Sequence, residues 1–232
     1  MDITANIASV RMKAARALAG TGRSIDDITV IAVTKTVDTY RIQQAVDSGI
    51  TDLGENRVQE LNQKYGLIGG SVRWHLIGTL QRNKVKYIID KAALIHSLDN
   101  LKLAQEINRQ AARINRVMPV LIQVNIGREA SKSGVYPENI DELIDGLAEL
   151  GNIRVQGLMA IPPNLPDNEQ IRPYFIAMRD IFQRLGQNGY PHIEMKYLSM
   201  GMTHDFEIAL QEGANIIRIG TGIFGTRKKE EQ

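Results

Sequence analysis

Short apolar β-type runs alternate with amphipathic helical stretches along the chain. The runs fall at residues 28–36, 51–53, 73–78, 93–98, 118–126, 153–161, 197–201 and 216–220, eight in all. An opening helix is predicted over residues 3–18, stopped by Gly20. Helical periodicity is clear in Leu101, Ala104, Ile107, Ala111 and Ile114, with Asp99 as the expected N-cap. It recurs in Ile140, Leu143, Ile144 and Leu147, where Pro137 suits the first turn and Gly151 the exit. A third set, Ile171, Phe175, Met178, Phe182 and Leu185, ends at Gly186.

Alternation with short connections implies parallel strands joined by crossover helices, and strands apolar on consecutive residues are those buried on both faces. The expected fold is α/β, a single (β/α)8 TIM-type barrel with an extra N-terminal helix, residues 1–232 forming one domain. The rival, a doubly wound open sheet, usually has fewer strands and no need of a leading helix. Residues 162–168 read as a loop after strand six and residues 227–232 as a solvated tail, neither a domain boundary.

Composition narrows the functional classes. At 232 residues and 43% apolar, the chain can bury one substantial core. A net charge of +2, with both signs interspersed, gives no basic field for nucleic acid or anionic membrane. The absence of cysteine removes disulfides, thiolate metal sites and thiol nucleophiles, and fits a reducing compartment. His75, His96, His192 and His204 form no HxxxH or HExxH pair, so no metal site is expected. No leader pattern and no apolar run near the ~18 residues of a membrane span occur, and the protein is read as cytoplasmic.

Candidate chemistry begins at Lys35, which ends the first apolar run. An amine at the carboxyl end of a buried strand is partly desolvated, which lowers its pKa and favours the neutral nucleophile that condenses with an aldehyde. A lysine there also commonly snorkels into solvent. In a (β/α)8 barrel, phosphate is commonly held by the loops after strands seven and eight. Those loops carry Ser199, Gly201 and Thr203, then Gly220, Thr221, Gly222 and Gly225. Glycines admit close approach of backbone N–H groups and hydroxyls add donors, although such residues also simply make turns. The GxGxxG spelled by residues 220–225 lacks the following helix and strand of a dinucleotide site, since the sequence stops at Gln232. Asn56 and His75 could bond a ligand, or be a helix cap and a satisfied core histidine. Arg218 lies in an otherwise apolar strand, where a cation needs a carboxylate or a ligand acceptor.

Together these residues resemble one family. The motifs are Ala32-Val33-Thr34-Lys35, Gly54-Glu55-Asn56, Trp74-His75-Leu76-Ile77-Gly78, Leu80-Gln81-Arg82-Asn83-Lys84, Lys132-Ser133-Gly134, Gly157-Leu158-Met159-Ala160, Ser199-Met200-Gly201-Met202 and Arg218-Ile219-Gly220. The chain resembles the pyridoxal phosphate homeostasis proteins, the single-domain relatives of alanine racemase. The resemblance implies pyridoxal 5′-phosphate bound as an aldimine on Lys35, with its phosphate near Ser199, Gly201, Gly220 and Thr221 and its pyridine nitrogen facing Arg218. Asn56, His75 and Met159 fall in motifs of the same pocket. Thr203 stands where the family usually has Ser, and Gly225-Thr226-Arg227 replaces Gly-Ala-Arg; both keep a small residue in place.

The implied role is to buffer or deliver the cofactor, as a monomer in transient contact with acceptor enzymes, rather than to turn over a substrate. An arginine at the pyridine nitrogen disfavours ring protonation and weakens the electron sink of pyridoxal enzymes. Alanine racemases tolerate it but take a second base from an additional domain of the partner subunit, and this sequence ends with its eighth strand. The alternatives are an amino acid racemase, or a phosphate-binding barrel lyase or isomerase using Lys35 with Glu55 as acidic partner. Lys84 and Lys132 are surface candidates for a transient outer phosphate site.

Overall fold

The computed structural model describes residues 2–69, 71–190 and 193–226. Eight parallel strands close in sequence order into a barrel. They are β1 (Thr29–Val33), β2 (Asp52–Glu55), β3 (Arg73–Leu76), β4 (Ala92–Leu98), β5 (Met118–Val124), β6 (Ile153–Ala160), β7 (Ile193–Ser199) and β8 (Ile216–Ile219). Closure is made by β1 on β8, with Ile31 opposite Arg218 and Ala32 opposite Ile219. Helices α1 (Ile3–Ala17), α2 (Thr39–Asp47), α3 (Val58–Ile68), α4 (Leu101–Ala112), α5 (Ile140–Leu147), α6 (Arg172–Gln187), α7 (Phe206–Gln211) and α8 (Thr221–Phe224) surround it, and a 3₁₀ segment, Arg82–Tyr87, replaces a helix after β3.

All eight expected strands are present, and the opening helix is found as α1. Capped by Asp2, α1 buries Ile3, Ile7, Val10, Ala14 and Ala17 at helical spacing and packs on α2, α7 and α8. Three local expectations change. The cap of α4 is Asn100, whose side chain accepts from the Leu103 N–H, so Asp99 is one residue too early. Strand β7 starts at Ile193 because its first half alternates exposed Glu194 and Lys196 with half-buried neighbours, a pattern that is not an apolar run. Lys35 lies beyond the last ladder residue of β1, in a turn. His192 and the tail at 227–232 lie outside the described residues.

Most of the core fills the space between strands and helices, while Ile31, Leu94, Leu121, Met159 and Ile216 form a separate apolar cluster. The register of β6 on β7 shifts between Val155 and Gly157. Gly157 has φ +138°, and a Cβ there would fall 1.8 Å from the Tyr197 carbonyl oxygen, so only glycine lets β6 and β7 approach this closely.

Candidate functional site at the carboxyl ends of the strands

Strand ends β1, β2, β7 and β8 bring the candidates to one mouth of the barrel. The turn after β1 is closed by the Val37 N–H on the Thr34 carbonyl at 2.9 Å, with Lys35 and Thr36 at its corner. Lys35 is half-buried, and its amine makes no hydrogen bond or ion pair with the described residues. Thr36 has φ +60°, a left-handed conformation that costs a β-branched residue on the order of 1 kcal/mol or more.

Asn56 follows β2. The cap position of α3 is Arg57, so Asn56 is not the cap residue, and its Oδ1 is buried with no partner among the described residues. An orphaned carbonyl oxygen of this kind costs about 1–3 kcal/mol unless something meets it.

Arg218 is almost fully buried. Its Nη1 donates to the Ser199 Oγ at 2.7 Å and the Ser199 carbonyl at 2.9 Å, and its Nη2 to the Ala160 carbonyl at 2.9 Å. A guanidinium has five N–H groups, so these contacts leave two, including Nε–H. Burial lowers the Arg218 pKa to about 10, with Asp205 opposing, so the group stays cationic at neutral pH.

Behind Arg218 runs a buried chain of polar groups. Ser199 Oγ lies 3.1 Å from His96 Nδ1, His96 Nε2 lies 3.0 Å from His75 Nδ1, and His75 Nε2 lies 2.8 Å from Asp52 Oδ1. Arg73 grips Asp52 through both Nε and Nη2 at 2.8 Å. Burial would raise the Asp52 pKa, but hydrogen bonds from His75 and Arg73 outweigh it and hold the group at about 2. Burial, reinforced by the charges of His75 and Arg218, keeps His96 well below its ordinary pKa and therefore neutral. The chain has a carboxylate at one end and a cation at the other. Arg218 donates to Ser199 at one end, and at the other the Asp52 carboxylate meets His75; the ring tautomers set the donor at the two links between.

This network relocates two expected ligand contacts. Both nitrogens of His75 are engaged inside the barrel, so it is the satisfied core histidine. Ser199 is fully buried with its hydroxyl committed to Arg218 and His96, so its side chain is not a phosphate donor. Met159 is also fully buried, in the apolar cluster with Ile31.

Gly201 and Gly220 lie in the connections after β7 and β8, and Thr221 opens α8 directly after Gly220. Gly201 has φ +93°, and a Cβ there would meet Ala209 Cβ at 2.6 Å. Thr203 Oγ1 accepts from the Gly222 N–H at 3.2 Å and so ties the two loops together, a role its place in the sequence did not reveal. Thr221, exposed at the start of α8, finds no carbonyl within that helix for its amide. Beside this mouth lies a cleft of about 640 Å³ lined by Lys132, Ile161, Pro163, Leu165, Met202 and Asp205. Lys132 is engaged by Glu129 at 2.6 Å and the Pro162 carbonyl at 3.1 Å.

Glu55 does not face Lys35. It is fully buried on the helix side of the sheet, with Oε1 held by Lys64 at 2.7 Å and Thr34 Oγ1 at 2.6 Å. Burial raises its pKa, and Lys64 and Thr34 pull the other way. The acidic partner required by the lyase or isomerase alternative is therefore absent at this position.

Fold and site define a (β/α)8 barrel with a lysine unpaired among the described residues, a buried arginine and two Gly-containing loops at the carboxyl ends of its strands. The family model for the alanine racemase N-terminal domain matches residues 10–228. The chain belongs to the pyridoxal phosphate homeostasis protein family within that class. It is 44% identical to the pyridoxal phosphate homeostasis protein of Aquifex aeolicus, over 98% of this chain and 100% of that one. With the protein of the same name from Escherichia coli K12 it shares 40% identity over 97% of each chain. The structure of PipY from Synechococcus elongatus with PLP bound is similar at TM-score 0.83 and 30% identity, covering 96% of this chain and 100% of that one. An alanine racemase from Corynebacterium glutamicum shares the fold at TM-score 0.69 and 15% identity, with this chain covering 62% of it.

Proposed function

We propose that the protein binds pyridoxal 5′-phosphate covalently through Lys35 and buffers or delivers it to acceptor enzymes without appreciable turnover. The reading is carried by the Lys35 amine, the buried Asn56 Oδ1 and two donors of Arg218, which have no partners among the described residues. The PLP-bound PipY structure and the names of the relatives support the identity of the ligand.

When bound, the cofactor supplies an aldehyde carbon for an amine and an electron-withdrawing ring. Lys35 supplies the amine. Arg218 directs a donor at the ring nitrogen, and as a cation it disfavours protonation there. Gly201, Gly220 and Thr221 receive the phosphate, with Thr203 holding their loops together. Met159 forms part of the apolar floor, Asn56 meets a polar atom of the ligand, and Ser199 and His75 act from behind by fixing Arg218. The whole chain works as one cofactor-binding unit, a cytoplasmic monomer. No helix among the described residues is long and apolar enough to cross a membrane.

Borohydride treatment of the yellow, cofactor-loaded protein followed by peptide mapping tests the assignment. The pyridoxyl label should lie on Lys35, and a label chiefly on Lys84 or Lys132 would refute it. Robust alanine racemisation by the unmodified protein, lost in Lys35→Ala, would replace the carrier reading with an enzymatic one.

A further inference from the structure

We infer that Glu60 and Lys64, on the far side of the sheet from the barrel interior, are positioning residues that clamp the turn presenting Lys35; this rests on the proposed role of Lys35. Lys64 donates to the Thr34 carbonyl at 2.7 Å, just before Lys35. Glu60 Oε2 accepts from the Thr36 N–H at 2.9 Å, just after it. The two clamping side chains pair with each other at 3.3 Å, one turn apart on α3, so both flanks of Lys35 are fixed to one rigid helix. Glu55 completes the set by binding Lys64 and the Thr34 hydroxyl through one oxygen.

Two features need an explanation beyond packing. Lys64 is 7% exposed and Glu55 fully buried, and removing such charges from water opposes folding unless they are paired and hydrogen-bonded. Thr36 keeps φ +60° in a four-residue turn, where glycine or asparagine would be the relaxed choice. Strained backbone persists only where its surroundings over-determine it, and such strain concentrates where a side chain must be aimed. The contacts on the Thr34 carbonyl and the Thr36 amide supply that over-determination. Lys35, between them, makes no hydrogen bond or ion pair with the described residues that would orient its amine, so the turn sets the direction from which it starts. A reacting amine held in a near-attack direction loses rate when its support loosens.

The test uses the full chain as Glu60→Ala and Glu60→Gln, changed at a half-buried residue so that folding is spared. Both variants lose the charge pairing with Lys64, but glutamine keeps an oxygen for the Thr36 N–H. Amide exchange at Thr36 in cofactor-free protein should accelerate ~10-fold or more in Glu60→Ala, with Glu60→Gln near the parent. The rate at which added pyridoxal 5′-phosphate becomes borohydride-trappable on Lys35 should fall ~10-fold in Glu60→Ala and be restored by Glu60→Gln. The inorganic phosphate concentration that halves this capture should be the same in all three proteins. Unchanged Thr36 exchange and unchanged capture in Glu60→Ala would overturn the clamp while leaving the proposed function intact. A slowed capture that Glu60→Gln fails to rescue would also overturn it, since loss of charge and not of the acceptor would then be responsible. Failure of the parent itself to be labelled at Lys35 would overturn the proposed function and the clamp's purpose together.

Discussion

Ser199 Oγ lies 2.7 Å from Arg218 Nη1, and this contact, completed by His96 at 3.1 Å, turns the serine hydroxyl into a support for the arginine. Ser199→Ala should therefore cost stability of about 1–3 kcal/mol, because Arg218 and His96 each lose a buried partner. Its effect on phosphate recognition should be small. Denaturant unfolding, with competition by inorganic phosphate, measures both, and a large loss of phosphate affinity at unchanged stability would return Ser199 to the phosphate cradle.

His96 makes stability depend on pH in a defined direction. Its folded pKa is depressed by burial, whereas in the unfolded chain it titrates near 6.5. Above that pH neither state takes a proton; below it only the unfolded state does, so stability falls as pH drops, by up to about 1.4 kcal/mol per pH unit. In His96→Gln the slope between pH 6.5 and 5 should flatten. Equal slopes in parent and variant would show that His96 is not held neutral.

Asn56 carries a buried oxygen without a partner, so its removal should have opposite effects on the free and loaded protein. Asn56→Ala should leave cofactor-free stability unchanged or slightly higher, while weakening pyridoxal 5′-phosphate binding by about 1 kcal/mol. Thermal unfolding with and without cofactor reads the two terms. A destabilised free protein with unaltered affinity would make Asn56 a structural residue only.

Glu55 belongs to the β1–α3 contact and not to the barrel interior. Glu55→Leu should destabilise the protein by about 3 kcal/mol, since it strips a buried lysine of its closest carboxylate. Glu55→Leu combined with Lys64→Met should recover part of that loss. A Glu55→Gln variant that folded normally but lost a proton-transfer activity would revive the catalytic alternative.

The barrel was legible in the sequence because parallel strands buried on both faces, such as residues 118–126, announce themselves as apolar runs whatever surrounds them. Gly220, Thr221 and Lys35 were legible for a related reason: strand order alone assigns them to one end of the barrel. Strand β7 began earlier than its apolar run, since Glu194 and Lys196 hide the start of a half-exposed strand. The cap of α4 shifted by one residue because Asp99 and Asn100 are both competent caps and only backbone geometry chooses between them. What residues Ser199, His75, His96, Asp52 and Glu55 do could not be read locally. A side chain's position in sequence gives its residue type and strand, but which face of the sheet it takes, and which distant group meets it there, depend on register. The step from Asp52 to Arg218 crosses β2, β3, β4, β7 and β8, and each link is a contact of about 3 Å between residues far apart in the chain. Local pattern determined the elements and their order; closure of the sheet decided which polar groups found partners inside it, and left Lys35 and Asn56 Oδ1 without them among the described residues.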